Sequence, residues 1–386
     1  MHVGIRSEHQ AREGRVAATP QSVESLVELG ATVSIESGAG RHAGISDDAF
    51  TDAGASVVAS LHDAGPIDIL ATVGPIGDSN GRSDMELLSE GSVVIGLLDP
   101  TNNETTLSDL QARGVTPIAM ELVPRTTIAQ SMDALSSQAT AAGYAAVLLG
   151  ATSMPKFMPM LVTAAGTVPP ARVLVLGVGV AGLQAIATAK RLGAIVTAYD
   201  IRPETKEQVE SLGAKFIDAP TQQMDEGGYA RAVDEETAAA QREVLTHAVA
   251  GADLIITTAQ VPGRKAPILV DAEMVKQMSE GSVIIDMAAG SGGNVVGSQP
   301  DHVVNADGVM IHGPTDLASR VAADASRMYA RNVLEIIKRM VVDGNLAVDA
   351  DDAVIGPAIV GRTAAQHTDA EQVDEEQPVV EHEASP

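Results

Sequence analysis

The stretch ARVLVLGVGVAGLQAIATAKRLGAIVTAYD, residues 171–200, decides the fold prediction. An apolar strand is followed by a glycine-rich turn, a helical segment and a second apolar strand. In the turn, Gly177 permits a sharp reversal, Gly179 lets a pyrophosphate approach the backbone, and Gly182 lets the helix pack on the strand. The helix N-terminus offers unpaired N–H groups and a partial positive charge to phosphates. The stretch therefore predicts a dinucleotide-binding βαβ unit.

Asp200 closes the second strand of this unit, 18 residues after Gly182. A carboxylate there accepts hydrogen bonds from the adenosine ribose and repels a 2′-phosphate, so it favours NAD over NADP. Arg202 is the opposing signal, because a guanidinium can pair with a 2′-phosphate, although it can also stack near the adenine. We predict NAD as the cofactor.

Apolar runs alternate with helical patterns along most of the chain. The first series predicts strands at His2–Ile5, Ala31–Glu36, Ser56–Ala59, Ile67–Val73, Ser92–Leu98 and Thr116–Met120. The second series predicts strands at Arg172–Leu176, Ile195–Tyr199, Ala214–Ile217, Leu254–Thr258, Val283–Met287 and Val309–His312. This alternation is typical of parallel sheets covered by helices on both faces. The predicted fold class is α/β, with two doubly wound, Rossmann-like domains.

Two long helical patterns suggest how the domains connect. A small-residue helix is predicted from Ala129 to about Gly150, as a connector, and a second helix is predicted over Thr315–Val342. We expect the second helix to return to the first domain, which is then discontinuous. The predicted domains are residues 1–127 completed by 313–342, a nucleotide-binding domain at 128–312, and an acidic, flexible tail at 343–386.

The chain is strongly acidic, with 51 acidic and 25 basic residues and a formal charge of -26. The tail alone holds eleven acidic residues and one base, Arg362. Such a chain repels phosphate backbones and anionic lipid, and its 2% of aromatic residues offers few stacking platforms, so we expect no nucleic-acid or direct membrane binding. One interpretation is adaptation to concentrated salt, which screens the self-repulsion. The alternative is an ordinary acidic cytosolic protein.

The composition also limits the kinds of site. The absence of cysteine excludes disulfides and thiolate chemistry, and the nine histidines are too scattered to predict a metal site. The first residues, MHVGIRSEHQ, lack the layout of a signal peptide, and no apolar stretch is long enough to span a bilayer. We therefore expect a cytoplasmic protein.

A second polar constellation, ELVPRTTIAQSMDALSSQ at residues 121–138, lies just before the connecting helix. In the plainest interpretation Ser131 caps that helix and Asp133 favours its dipole. That interpretation leaves Arg125 and Gln130 without a role. The cleft between two such domains is also where a nicotinamide ring would lie.

Several motifs closely resemble one family. QSMDALSSQATAAGY, TAAGTVPPARVLVLGVGVAGLQAIATAKRLGA, TKEQVESLGAKF, GSVIID and SRVAADAS resemble the NAD(H)-binding component, domain I, of the Si-type, proton-translocating NAD(P) transhydrogenase. The resemblance runs from about Val3 to Met340 and is densest between Glu121 and Gly263. It implies a homodimer that works with a membrane-embedded subunit and a separate NADP(H)-binding subunit, so the protein would be peripheral to the membrane through its partner.

The resemblance also implies roles for individual residues. Arg125, Gln130 and Asp133 would hold the nicotinamide and its carboxamide as the catalytic loop, with Ser136 beside them. The NAD site would further be lined by Val180, Asp200, Ile201, Arg202, Gly228, Gln241 and Gln260. Gly228 falls in a segment similar to the family loop that folds over bound nucleotide. Gln260 departs from the apolar residue that the family more often has.

Alanine dehydrogenase, which shares this fold, is the main rival. That enzyme needs a Lys and a His in its cleft, because amino-acid oxidation requires acid–base help. The corresponding stretches here, Ile69–Pro75 and Ile95–Asn102, contain neither residue. Transfer between two nicotinamides requires only alignment of donor and acceptor. A non-catalytic NAD-binding protein is the third hypothesis. His312 and Asp286 end predicted strands near the cleft and are assigned no catalytic role.

Overall fold

The computed structural model describes residues 1–79, 82–219, 235–260, 264–342 and 344–361. Its N-terminal region is a six-stranded, all-parallel sheet. The strands are β1 (His2–Ile5), β2 (Thr32–Glu36), β3 (Ser56–Val58), β4 (Ile69–Ala71), β5 (Val93–Gly96) and β6 (Thr116–Ala119). Their order is β3-β2-β1-β4-β5-β6, so the winding direction reverses between β1 and β4. A doubly wound sheet has its crevice at the carboxyl ends of the strands at this reversal.

The helices of this region begin where the sequence predicts. They are α1 (Pro20–Glu28), α2 (Asp47–Asp52) and α3 (Glu104–Ala112). In α1 the Thr19 side chain accepts from the Ser22 N–H, Ser22 Oγ accepts from the Thr19 N–H, and Pro20 fills the first helical position. Gly30 then adopts a φ of 81°, which ends the helix.

A second sheet of seven strands forms the C-terminal region. After the hairpin of β7 (Leu161–Thr163) and β8 (Gly166–Val168), the strands are β9 (Arg172–Leu176), β10 (Ile195–Tyr199), β11 (Lys215–Phe216), β12 (Leu254–Thr257), β13 (Val283–Asp286), β14 (Val303–Ala306) and β15 (Val309–His312). Their order is β11-β10-β9-β12-β13-β15-β14. The six predicted strands are present, and both sheets confirm the doubly wound α/β prediction. Strand β14, antiparallel to β15, was not predicted.

Five helices accompany the second sheet: α4 (Ala134–Ser153), α5 (Val180–Arg191), α6 (Thr205–Ser211), α7 (Glu235–Ala250) and α8 (Ala272–Val275). Helix α4 begins five residues later than predicted, because Thr127–Met132 forms a 3₁₀ turn first. A Cβ on Gly143 would overlap the Ala181 carbonyl oxygen, so the backbones of α4 and α5 touch. Neither α4 nor another helix in the described ranges is long and apolar enough to cross a bilayer.

The last long helix, α9 (Ala322–Arg339), is shorter than the predicted Thr315–Val342 and follows a 3₁₀ turn at Ala318–Val321. It packs on the first sheet, where Val333, Ile336 and Ile337 are buried. Tyr329 is also buried, and its hydroxyl donates to the Thr72 carbonyl oxygen over 2.7 Å. The helix thus returns the chain to the N-terminal region of the molecule.

The C-terminal tail corrects one prediction. Residues 344–361 are not an extended tail, because Val354, Ile355 and Ala358 are buried in the first core, the last two in helix α10 (Ile355–Ala358). The Val360 N–H also donates to the Pro117 carbonyl oxygen over 3.0 Å. The charge count concealed the apolar run AVIGPAIV at 353–360. Residues 362–386 lie outside the described residues.

Candidate functional site

The glycine-rich turn has the geometry of a phosphate cradle. Gly177 has a φ of 96°, and a Cβ there would lie 2.6 Å from the Thr258 hydroxyl oxygen. A Cβ on Gly182 would overlap the Gly177 carbonyl oxygen, so this glycine lets α5 approach β9. Gly179 differs, because a Cβ there would meet nothing within 4 Å, and as N-cap of α5 it provides no side-chain cap. The first N–H groups of α5 are therefore left to an anion.

Asp200 lies at the carboxyl end of β10, beside this turn, and is buried at 8% exposure. Its Oδ2 accepts from the Val178 N–H over 2.6 Å, and its Oδ1 accepts from the Arg202 N–H over 2.9 Å. The Arg202 guanidinium donates to both oxygens, over 3.0 and 3.1 Å. Burial alone would raise the pKa of Asp200, but these hydrogen bonds outweigh it and hold the pKa below its ordinary value. The carboxylate is therefore an ionised acceptor at neutral pH.

The other residues expected at the nucleotide differ in how the structure places them. Val180 and Ile201 are exposed apolar side chains directly after Gly179 and Asp200. Gln260 is exposed, and its amide donates to the Met287 carbonyl oxygen over 2.9 Å. Gln241 lies in α7, and Gly228 lies outside the described residues.

The loop before α4 carries the expected nicotinamide-binding residues. Arg125 and Gln130 are exposed, and their side chains have no hydrogen-bond partner within the described ranges. Asp133 is the N-cap of α4, because it accepts from the Ser136 N–H over 2.8 Å and from the Ser136 hydroxyl over 2.6 Å. The expectation that Ser131 caps the helix is wrong, since the 3₁₀ turn moves the helix start to Ala134.

Asn332 of α9 braces this loop, and sequence reasoning missed it. Its amide nitrogen donates to the Ser131 carbonyl oxygen, and its amide oxygen accepts from the Ser137 hydroxyl, each over 2.7 Å. Gln138 adds a further tie, since its amide donates to the Ala325 carbonyl oxygen over 3.1 Å. A polar residue on a long amphipathic helix gave no sequence signal for this role. The loop is therefore held between α4 and α9.

Helix α4 joins the loop to the glycine-rich turn. Asp133 lies ten residues before Gly143, which touches the first turn of α5 at Ala181. At 1.5 Å per residue, this places the loop about 15 Å along the helix from that contact. A molecule with phosphates at one end and an amide-bearing ring at the other could engage both places.

A buried network connects the loops around the turn. Asp286 is fully buried and accepts from the Thr257 hydroxyl over 2.9 Å and from the Asn294 N–H over 3.0 Å. The Asn294 side chain binds both the N–H and the carbonyl oxygen of Ala259, and Thr258 donates to the Gly177 carbonyl oxygen over 2.9 Å. Asp286 thus orders the backbone around the turn. His312 is partly buried, and burial, with a contribution from Arg320, lowers its pKa.

The crevice of the first sheet is filled by the chain's own polar groups. Arg6 is buried and pairs with Asp84 and Glu8, and its guanidinium also donates to the Pro75 carbonyl oxygen over 2.7 Å. Glu8 accepts from the Val73 and Gly74 N–H groups, and burial raises its pKa. The stretch 69–75 is thereby committed to backbone contacts.

The stretch 95–102 is committed in the same way. Asp99 has a φ of 47°, and its N–H and that of Leu98 donate to Glu121 over 2.5 and 3.2 Å. Burial raises the pKa of Glu121 despite these bonds. Neither stretch places a Lys or His at the cleft.

Comparison with known proteins agrees with this geometry. Two family models match, "Alanine dehydrogenase/PNT, N-terminal domain" at residues 4–142 and "Alanine dehydrogenase/PNT, C-terminal domain" at residues 146–367. A relative from Rhodospirillum rubrum, named as an NAD(P) transhydrogenase alpha subunit, is 45% identical over 94% of this chain and 100% of its own length.

Solved structures give the same picture. A transhydrogenase from Sinorhizobium meliloti is 43% identical with a TM-score of 0.84, covering 93% of this chain and 98% of its own. An L-alanine dehydrogenase is 29% identical with a TM-score of 0.77, covering 93% and 94%. The transhydrogenases are thus more similar than this dehydrogenase in both sequence and fold. The chain belongs to the alanine dehydrogenase/PNT family.

Proposed function

We propose that this protein is the NAD(H)-binding component of a proton-translocating NAD(P) transhydrogenase, and that it exchanges hydride between NAD(H) bound here and NADP(H) on a partner domain. The observation that carries the proposal is the pairing of two places: an uncapped helix N-terminus beside the carboxylate of Asp200, and a loop with Arg125 and Gln130 exposed and unpartnered within the described ranges. The similarity to transhydrogenase alpha subunits supports it.

The residues present fit NAD(H). The space beside Gly179 and the N–H groups of α5 suit a pyrophosphate, and ionised Asp200 suits a ribose diol. At the other end, Arg125 and Gln130 have donors and acceptors for a carboxamide, and Asp133 orients the loop as its helix cap. Bound NADH supplies the hydride. The chain's own residues bind and orient the ring, and none of them has to move a proton.

The absence of Lys and His from the stretches 69–75 and 95–102 favours this reaction over amino-acid oxidation. Imine formation and hydrolysis need a general acid and base, whereas transfer between two nicotinamides needs alignment. Leu122 and Ile128 are exposed apolar residues beside the loop, and they suit a face covered by the NADP(H)-binding partner. A membrane-embedded partner would couple transfer to proton movement and hold this cytoplasmic component at the membrane.

We further propose a homodimer. Phe157, Met160 and Val162 are exposed by 59%, 59% and 75%, and the last lies on the β7–β8 hairpin. Clustered exposed apolar residues mark association surfaces. Light scattering on the purified chain should give twice the chain mass, and Val162→Asp should shift it toward the monomer. A monomeric parent protein would contradict this element of the proposal.

Reconstitution tests the function. The full chain, mixed with an NADP(H)-binding transhydrogenase component, should reduce an NADP analogue at the expense of NADH. The chain alone, given NADH, pyruvate and ammonium, should show no oxidation. Pyruvate-dependent turnover would support the alanine dehydrogenase alternative, and NADH binding without transfer to any acceptor would support a non-catalytic protein.

A further inference from the structure

The Asp200 carboxylate is already saturated by the protein. An ionised carboxylate has about four lone-pair sites. Four donors reach it: the Val178 N–H at 2.6 Å, the Arg202 N–H at 2.9 Å, and Nε and Nη2 of Arg202 at 3.0 and 3.1 Å. A ribose diol that binds Asp200 must therefore displace a donor.

The four donors differ in how easily they leave. The Val178 and Arg202 N–H groups belong to the backbone at the turn and at the end of β10, so they cannot withdraw without distorting the unit. The Arg202 guanidinium sits on a flexible stem, its side chain is 45% exposed, and it donates to no other group in the described portion of the chain. An ion pair with one half-exposed partner contributes little, so it can be exchanged.

Once displaced, the guanidinium stays beside the ribose. Its α-carbon is fixed two residues after Asp200, so its reach covers the 2′ position of a ribose bound at that carboxylate. There it meets a neutral hydroxyl in NADH or a phosphate in NADPH. Guanidinium pairs with phosphate through two parallel hydrogen bonds.

We propose that Arg202 is a specificity-determining residue that competes with the ribose of NADH for Asp200 and turns to the 2′-phosphate when NADPH binds. The proposal rests on the NAD(H) site proposed above. Its consequence is that Arg202 weakens NADH binding and softens the discrimination that Asp200 imposes against NADPH. An arginine that stacked on the adenine would do the opposite for NADH.

Two variants separate these outcomes. In Arg202→Ala the competitor is gone, so NADH should bind about two- to fivefold more tightly, the range expected for a half-exposed ion pair. NADPH should bind about tenfold more weakly, because the 2′-phosphate loses its charged partner. Arg202→Lys keeps the charge without the two-point contact to Asp200, so NADH binding should tighten while most NADPH binding remains. Nicotinamide fluorescence titrations of the full chain, at one fixed ionic strength, give all the dissociation constants.

Arg339→Ala is the matched control. Arg339 also donates through Nε to an aspartate, Asp352, over 2.7 Å, but it lies on α9 against the first sheet. This variant removes the same charge from the acidic chain and should leave both affinities as in the parent. Melting temperatures check that each variant folds.

The outcomes distinguish this inference from the function on which it rests. NADH affinity that is unchanged or weaker in both Arg202 variants would overturn the competition. A parent protein that binds no NADH would refute the proposed function instead.

Discussion

At the scale of residues, Gln130 and Asp133 are close in sequence but differ in structural commitment. Gln130 is exposed and unpartnered in the described ranges, so Gln130→Ala should leave the melting temperature unchanged. If the loop orients the nicotinamide, single-turnover hydride transfer should slow on the order of tenfold or more, while NADH affinity changes much less. Transfer to an NADP analogue on the partner domain, with a parallel NADH titration, measures both.

Asp133 needs a different substitution, because it caps α4. Asp133→Ala should cost about 1 kcal/mol of unfolding free energy in addition to slowing transfer. Asp133→Ser keeps an acceptor for the Ser136 N–H and removes the carboxylate, so it should slow transfer with little loss of stability. Unchanged transfer in both Gln130→Ala and Asp133→Ser would leave the loop with only a helix-capping role.

Gly179 and Gly182 give a second contrast. A Cβ on Gly179 meets open space, so Gly179→Ala should fold with a nearly unchanged melting temperature and bind NADH at least about tenfold more weakly, because the methyl group occupies the pyrophosphate position. Gly182→Ala is the comparison, since its methyl would overlap the Gly177 carbonyl oxygen and should lower stability by about 1–3 kcal/mol. Parent-like NADH affinity in Gly179→Ala would place the pyrophosphate elsewhere.

The nucleotide-binding unit was the most predictable feature at this scale. Glycine spacing and a strand-ending acid follow from covalent geometry, so Gly177 and Asp200 could be placed from sequence. The Asp200–Arg202 bonds and the brace from Asn332 could not, because they depend on side-chain directions and on contacts distant in sequence. A capping role for Asp133 was within reach once the 3₁₀ turn shifted the helix start by five residues.

At the scale of elements, α4 is the spacer between the two ends of the proposed site, and its contact with α5 is backbone to backbone. Gly143→Ala would force the helices apart, so unfolding free energy should fall by about 1–3 kcal/mol and hydride transfer should slow as the loop shifts. Gly77→Ala is the control, because a Cβ there meets nothing within 4 Å. Thermal melting and single-turnover transfer that match the parent in Gly143→Ala would contradict this role of α4.

Strand prediction succeeded where apolar runs were buried on both faces, as in β9 and β10, whose bounds match. It missed β14, whose residues alternate in exposure at the sheet edge, although Asp307-Gly308 is a two-residue hairpin signal. The same weakness explains residues 344–361. Net charge over 343–386 hid a short apolar segment that completes the first core.

At the scale of the whole molecule, the charge of -26 is self-repelling when unscreened. The melting temperature of the full chain should therefore rise between low salt and molar KCl, as screening shortens the range of the repulsion. Differential scanning calorimetry across that range is the measurement. A melting temperature that stays flat or falls would count against salt adaptation.

The central claim is direct transfer of hydride between two nicotinamides, without proton exchange through the protein. The most direct measurement uses NADH labelled with deuterium at the transferring C4 position, together with the full chain and an NADP(H)-binding partner in ordinary water. The account predicts that the deuterium appears in the NADPH product without dilution by solvent hydrogen, and that Gln130→Ala slows its appearance. Product that carries solvent hydrogen at C4, or no labelled product at all, would contradict the account.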